Sequence, residues 1–230
     1  MLSALGLARA IEGGELTPAQ AVDLCADAIA KRESEVGAFV TLDIEAVRKA
    51  AQTPGLKDKP LRGLPVGLKD IFDTADMPTE YGSPIYTGHR PKVDAALVAL
   101  IRRNGGTLLS KTVTTEFAHL DPGKTRNPRN LAHTPGGSSS GSAAGVAAGF
   151  FPIATGSQTG GSVIRPASFC GVAGFRPSTR RSRSLIAAAA KATSATEAAN
   201  SPAVSRCHDT HLTPTVGRSR YEGLKPATPQ

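Results

Sequence analysis

The sequence has no tryptophan, three tyrosines, two methionines and three cysteines among 230 residues, and aromatic side chains make up only 4%. No apolar run approaches the ~20 residues that a membrane-spanning helix needs, the longest being Ala95 to Ile101. A transmembrane helix is therefore not expected. The first residues, Met1 to Ala8, have no basic leader ahead of their apolar stretch and meet Arg9 before any cleavage-like site, so they do not read as a secretory signal and the expected compartment is the cytoplasm. Cys25, Cys170 and Cys207 are odd in number and far apart, which suits reduced thiols better than a disulfide framework.

What is present is an ordinary globular composition, with 40% apolar residues, 24 glycines and 20% charged residues. The formal charge of +8 is uneven. Residues 1–175 hold 18 basic against 16 acidic side chains, and residues 176–230 hold 9 against 3. All seven phenylalanines lie at or before Phe175, and Tyr221 is the one aromatic beyond it. A segment so poor in large apolar groups cannot offset its chain entropy by burial, so residues 178–230 are expected to be a basic, low-complexity, disordered tail. Its Cys207, His208 and His211 resemble a metal cluster but lack a partner pair, and no metal site is expected.

Within residues 1–175 helices alternate with short strands. Thr17-Pro18 reads as an N-cap with proline in the first turn, followed by Ala21, Leu24, Cys25, Ala28 and Ile29 on one helical face. Asp43 is expected to cap a second helix, and Asp94 a third over Ala95 to Arg103 that stops at Asn104-Gly105-Gly106. Leu64 to Leu68, Thr107 to Ser110 and Phe151 to Thr155 are compact apolar segments, and a small-residue helix runs from about Ser142 to Ala148. Strands interleaved with helices indicate an α/β architecture with a buried sheet.

Two Gly-Ser segments, Pro135 to Ser142 and Gly156 to Ser162, are embedded between such elements rather than forming linkers. Neither contains the lysine of a phosphate-binding loop. Gly137-Ser138-Ser139-Ser140-Gly141 matches the nucleophile-elbow spacing with Ser139 at its centre, but no apolar strand feeds it. On that reading His119 or His133 would be the base.

Taken together, Gly-Leu-Pro-Val-Gly-Leu-Lys-Asp at 63–70, Gly-Gly-Ser-Ser-Ser-Gly-Ser-Ala-Ala at 136–144 and Thr-Gly-Gly-Ser-Val-Ile-Arg-Pro at 159–166 resemble the amidase signature family. The resemblance implies that Lys69 is the catalytic base, Ser138 the bridging serine and Ser162 the nucleophile. The chemistry is coherent with those residue types. A serine hydroxyl needs a base, and a lysine serves only when desolvation favours its neutral form. Alternatively Lys69 pairs with the neighbouring Asp70 and the serines merely make turns. The N–H groups of Thr159, Gly160, Gly161 and Ser162 are expected to form an oxyanion hole. Gln158, where many members have aspartate, and Arg165, three residues after Ser162, are similar to the malonamidase-type branch, in which such an arginine holds a substrate carboxylate.

The resemblance implies an amidase-signature fold whose mixed sheet continues beyond Pro177. Residues 1–177 are accordingly expected to be the N-terminal portion of an amidase domain, C-terminally truncated, with its pocket open on one side. The implied activity is hydrolysis of a carboxamide C–N bond through an acyl-enzyme, without metal or cofactor, on a small-molecule amide; a homo-oligomer is compatible with it. The alternatives are a component resembling the A subunit of a glutamine-dependent tRNA amidotransferase, or an inactive fragment whose basic tail binds nucleic acid. The tail lacks the stacking aromatics that would support the last of these.

Overall fold

The computed structural model describes residues 3–177 and 188–190. In chain order these form α1 (Ala4–Glu12), α2 (Pro18–Val36), β1 (Phe39–Leu42), α3 (Ile44–Ala51), β2 (Pro65–Lys69), α4 (Ala96–Arg103), β3 (Thr107–Thr112), α5 (Ser140–Ala148), β4 (Ile153–Thr155), α6 (Ile164–Cys170), β5 (Ala173–Gly174) and β6 (Ala188–Ala190). The strands make one mixed sheet in the order β1-β3-β2-β4-β6-β5. Its centre is parallel, β2 pairing with both β3 and β4, and its edges are antiparallel. Every residue of β2, β3 and β4 is buried, as expected of parallel strands covered on both faces.

Local signals account for several helices. Thr17 and Gln20 form a reciprocal capping box at the start of α2, Gly37 ends that helix in the left-handed conformation, and the Asp43 carboxylate accepts from Ala46 N at the start of α3. Two local expectations are corrected. The buried face of α2 takes in Val22 and leaves Leu24 42% exposed, so the stripe is rotated from its expected position. Asp94 does not cap α4, which begins after Ala95 without a side-chain cap. Its carboxylate instead accepts from Ala75 N at 2.9 Å and pairs with Arg102.

The most consequential element is α5. Residues Ser140 to Val146 are all buried, so this small-residue helix lies inside the molecule rather than on its surface. Phe150 and Phe151 follow it and pack against Phe39, the first tilted and the second edge-on. A Cβ on Gly67 would sit 2.6 Å from the Phe151 ring, so β2 admits that ring only through its glycine. α5 thereby lies close against the end of β2, where Lys69 stands.

No described helix is long and apolar enough to cross a membrane. Of residues 178–230, Ala188–Ala190 is described, as β6 between β4 and β5. The rest of the segment lies outside the described residues, and with it the expectation of a structureless tail and the Cys207, His208, His211 cluster. Cys25 and Cys170 are free and buried.

Candidate active site

Lys69 is the last residue of β2, and its N–H donates to Thr155 Oγ1 of the adjacent β4 at 3.1 Å. Its side chain is completely buried. The amine donates to Ser138 Oγ at 2.7 Å and to Ser157 Oγ at 2.8 Å. Burial lowers its pKa from 10.5 to about 7, because desolvation penalises the charged form. Near neutral pH this amine is therefore divided between ammonium and free base. Lys69 does not pair with Asp70. That carboxylate lies 2.9 Å from the amine of Lys111 instead.

Ser138 stands in the loop before α5, only 1% exposed, and its carbonyl accepts from Thr115 N at 3.1 Å. The Gly137–Ser138 peptide is cis. Ser162 lies half-buried in the loop between β4 and α6, and its carbonyl accepts from Ser139 N at 3.1 Å. The two serine-bearing loops are thus joined through their backbones. The structure brings Lys69 and Ser138 into direct contact, while no hydrogen bond links the Ser138 and Ser162 hydroxyls.

Thr159 and Gly160 are exposed, Gly161 is half-buried, and nothing lies within 4 Å of the position a Cβ would take at Gly160. The loop is braced from within by Gln158, whose Oε1 accepts from Val163 N at 2.8 Å and Ile164 N at 2.9 Å, satisfying donors at the start of α6. Gln158 is thus the residue that holds the loop. Arg165 follows on the first turn of α6, its guanidinium beside Gly161, and it makes no ion pair among the described residues. It lines a cleft of about 240 Å³ together with Thr115, His119, Leu120, Thr134 and Gly137.

The alternative built on Ser139 is not supported by this geometry. Ser139 is buried ahead of α5, its hydroxyl 3.5 Å from the Ser157 carbonyl, and no strand leads directly into it. His119 forms part of the cleft wall, and His133 is held in a separate turn with Asn127 and Asn130. No group of three or more His, Cys, Asp or Glu side chains suited to a metal occurs among the described residues.

Sequence reasoning missed Ser157, the second hydroxyl on Lys69, although it lies in the same Gly-Ser segment as Ser162. It also missed Thr115, whose N–H holds Ser138, and the Asp70–Lys111 pair. A lysine inside the otherwise neutral strand Thr107–Thr112 was the available signal for the last of these.

Known proteins resemble this chain in sequence and in fold. The chain is 41% identical over 169 residues to the A subunit of glutamyl-tRNA(Gln) amidotransferase from Halothermothrix orenii, covering 71% of this chain and 35% of that protein. Among solved structures, an amidase superposes with a TM-score of 0.69 at 33% identity, covering 82% of this chain and 45% of the other. The native peptide amidase of Stenotrophomonas maltophilia superposes with a TM-score of 0.68 at 33% identity, covering 74% and 39%. The chain spans little more than a third of the length of the curated relatives it matches. These neighbours share its mixed α/β fold, and the family model described as Amidase matches residues 20–215, so the chain belongs to the amidase family.

Proposed function

We propose that this chain carries the reaction centre of an amidase that hydrolyses a carboxamide through an acyl-enzyme on Ser162. The observation that carries the reading is the 2.7 Å contact between Ser138 Oγ and a fully buried Lys69 amine whose pKa is lowered to about 7. A lysine kept partly neutral at physiological pH is a base matched to its task.

In the proposed reaction the Ser162 oxygen attacks the amide carbon while its proton passes to Ser138 and the proton of Ser138 passes to Lys69. The N–H groups of Thr159 to Ser162 receive the negative oxygen of the tetrahedral intermediate, since the open backbone at Gly160 leaves a substrate room to approach them. Collapse breaks the C–N bond. The leaving nitrogen takes a proton back along the same path and departs as ammonia or an amine. Water then attacks the ester by the same relay, releasing the carboxylic acid and restoring Ser162. Substrate entry closes the Ser138-to-Ser162 step, as hydrogen bonds in free active sites commonly tighten only in the complex.

Arg165, on the cleft wall and without an ion pair among the described residues, suits an amide that also bears a carboxylate, which its planar guanidinium can hold through two parallel hydrogen bonds. A second reading is favoured by the relatives named as A subunits of an amidotransferase: this centre would then serve an assembly of several chains, by the same acyl-enzyme chemistry.

The test is covalent. A serine-directed reagent should add its mass to the peptide containing Ser162, and Ser162→Ala should abolish the addition. Persistent labelling of the Ser162→Ala chain would reject the assignment.

A further inference from the structure

The second buried lysine, Lys111, lies outside the proton path and is as completely buried as Lys69. Successive residues of a strand face opposite sides of the sheet. Lys69 is paired in register with Thr112, whose hydroxyl lies 2.7 Å from Ser142 on α5, whereas Lys111 is paired with Leu68 and faces the other side. There its amine is enclosed by the oxygens of one loop. It lies 2.9 Å from Asp70 Oδ1 and donates to Phe72 O at 2.9 Å, Pro78 O at 3.3 Å, Thr79 Oγ1 at 2.5 Å and Thr74 Oγ1 at 3.4 Å. One nitrogen thus ties the beginning of the 70–79 segment to its end, as a bound cation would.

That segment is attached to the reaction centre at both ends. At its start, Phe72 N donates to the Lys69 carbonyl, and Asp70 N to the Thr112 carbonyl. At its end, Glu80 N donates to Asp70 Oδ2 and Tyr81 O accepts from Phe117 N. Gly82, at φ +71°, packs so closely on the Thr114 and Thr115 carbonyls that a Cβ there would lie 2.8 Å from one of them. Thr115 in turn holds Ser138 through its N–H.

We propose that Lys111, with Asp70 as its counter-charge, is a positioning residue that folds the 70–79 loop around its ammonium and so holds the Lys69 amine and Ser138 together in a closed, water-poor pocket. This rests on the reading of Lys69 as the base. The pair is costly to bury: desolvation pushes the Lys111 amine down and the Asp70 carboxyl up, each opposed by the other's charge. Asp73 and Asp76 also favour the Lys111 cation from the same loop, and Glu80 opposes the Asp70 anion. The groups bonded to the Lys69 amine, by contrast, are the neutral hydroxyls of Ser138 and Ser157. Without Lys111 the loop loses its central tie, the end of β2 loosens, and Lys69 regains hydration.

The experiment is a pH titration of the lysine side-chain carbons by NMR in the full 230-residue chain, with the Lys69 signal identified by its absence in Lys69→Met. The native Lys69 should titrate near pH 7. In a folded Lys111→Met chain its midpoint should rise by about one pH unit or more, as expected when a buried amine regains part of its hydration. Should Lys111→Met fail to fold, Thr79→Val, which keeps both charges and removes one hydroxyl from the ammonium, should move the midpoint in the same direction by less. Ile29→Ala, a core truncation in α2, should leave it unchanged. An unmoved midpoint in the folded Lys111 or Thr79 variant overturns the inference while leaving Lys69 as the base. An equal movement in Ile29→Ala also overturns it, since the effect would then be general loosening. A native midpoint near the ordinary lysine value rejects the base itself and this inference with it.

Discussion

If burial lowers the pKa of Lys69, the folded chain must lose stability for it, and the loss must fade as pH rises. The pKa falls from 10.5 in the exposed side chain to about 7 in the folded protein. Between those values the unfolded chain binds more protons than the folded one, so the stability of the fold increases with pH across that window. At about 1.4 kcal/mol per unit, the cost is roughly 4 kcal/mol at pH 7 and roughly 2.7 kcal/mol at pH 8.5, a gain of about 1.5 kcal/mol between them. The window stops short of the cysteines, because burial pushes the Cys25 and Cys170 thiols from 9.0 up to about 12 and their opposite effect begins only near 9. Lys69→Met removes the titrating group while leaving the Ser138 and Ser157 hydroxyls without their nitrogen partner, so the comparison rests on slope rather than absolute stability. Urea unfolding of both chains at the two pH values gives that slope. The native chain should gain stability relative to Lys69→Met by the amount stated. Parallel behaviour of the two chains would show that Lys69 is charged in the fold, and the proposed relay would have no base.

Three further outcomes follow from contacts elsewhere. Ser157→Ala removes one of the two hydroxyls that orient the Lys69 amine and should slow acylation of Ser162 roughly fivefold to tenfold, the equivalent of about 1 kcal/mol for one hydrogen bond, as read by single-turnover labelling. Arg165→Ala should raise KM for a carboxylate-bearing amide roughly fivefold more than for a neutral amide of the same size, since the guanidinium is exposed and its contact partly screened; equal changes would assign Arg165 a structural role. Gly67→Ala would place a methyl 2.6 Å from the Phe151 ring and should cost about 1–3 kcal/mol in denaturant unfolding, a loss that Phe151→Leu in the same chain should partly relieve.

Features decided within a few residues were legible in the sequence. The Thr17 and Asp43 caps are of this kind, because each side chain bonds a backbone N–H three residues on. Asp94 looked equivalent, but its carboxylate is taken by Ala75 N and Arg102, partners that no local pattern supplies. The expected β2, β3 and β4 segments emerged as strands because they are short apolar blocks, whereas β1 was missed: its antiparallel pairing with β3 is a long-range contact. At the candidate site, the family motifs named Lys69, Ser138 and Ser162, and the fold brings the first two together across 69 residues. Ser157 was not legible, since a serine in a glycine-rich loop acquires its meaning only from what the fold places around it, and Lys111, although conspicuous as a charge in a strand, gave no indication of its partner Asp70.

The central claim is that Lys69 is the base for Ser162, and the most direct measurement is the pH dependence of Ser162 labelling by a serine-directed reagent under single-turnover conditions. The labelling rate should rise with pH through a midpoint near 7 and level off above it, as the Lys69 amine loses its proton. Lys69→Met should abolish that dependence and most of the rate. A rate that keeps climbing into the ordinary lysine range, or a midpoint near 7 that survives in Lys69→Met, would contradict the account.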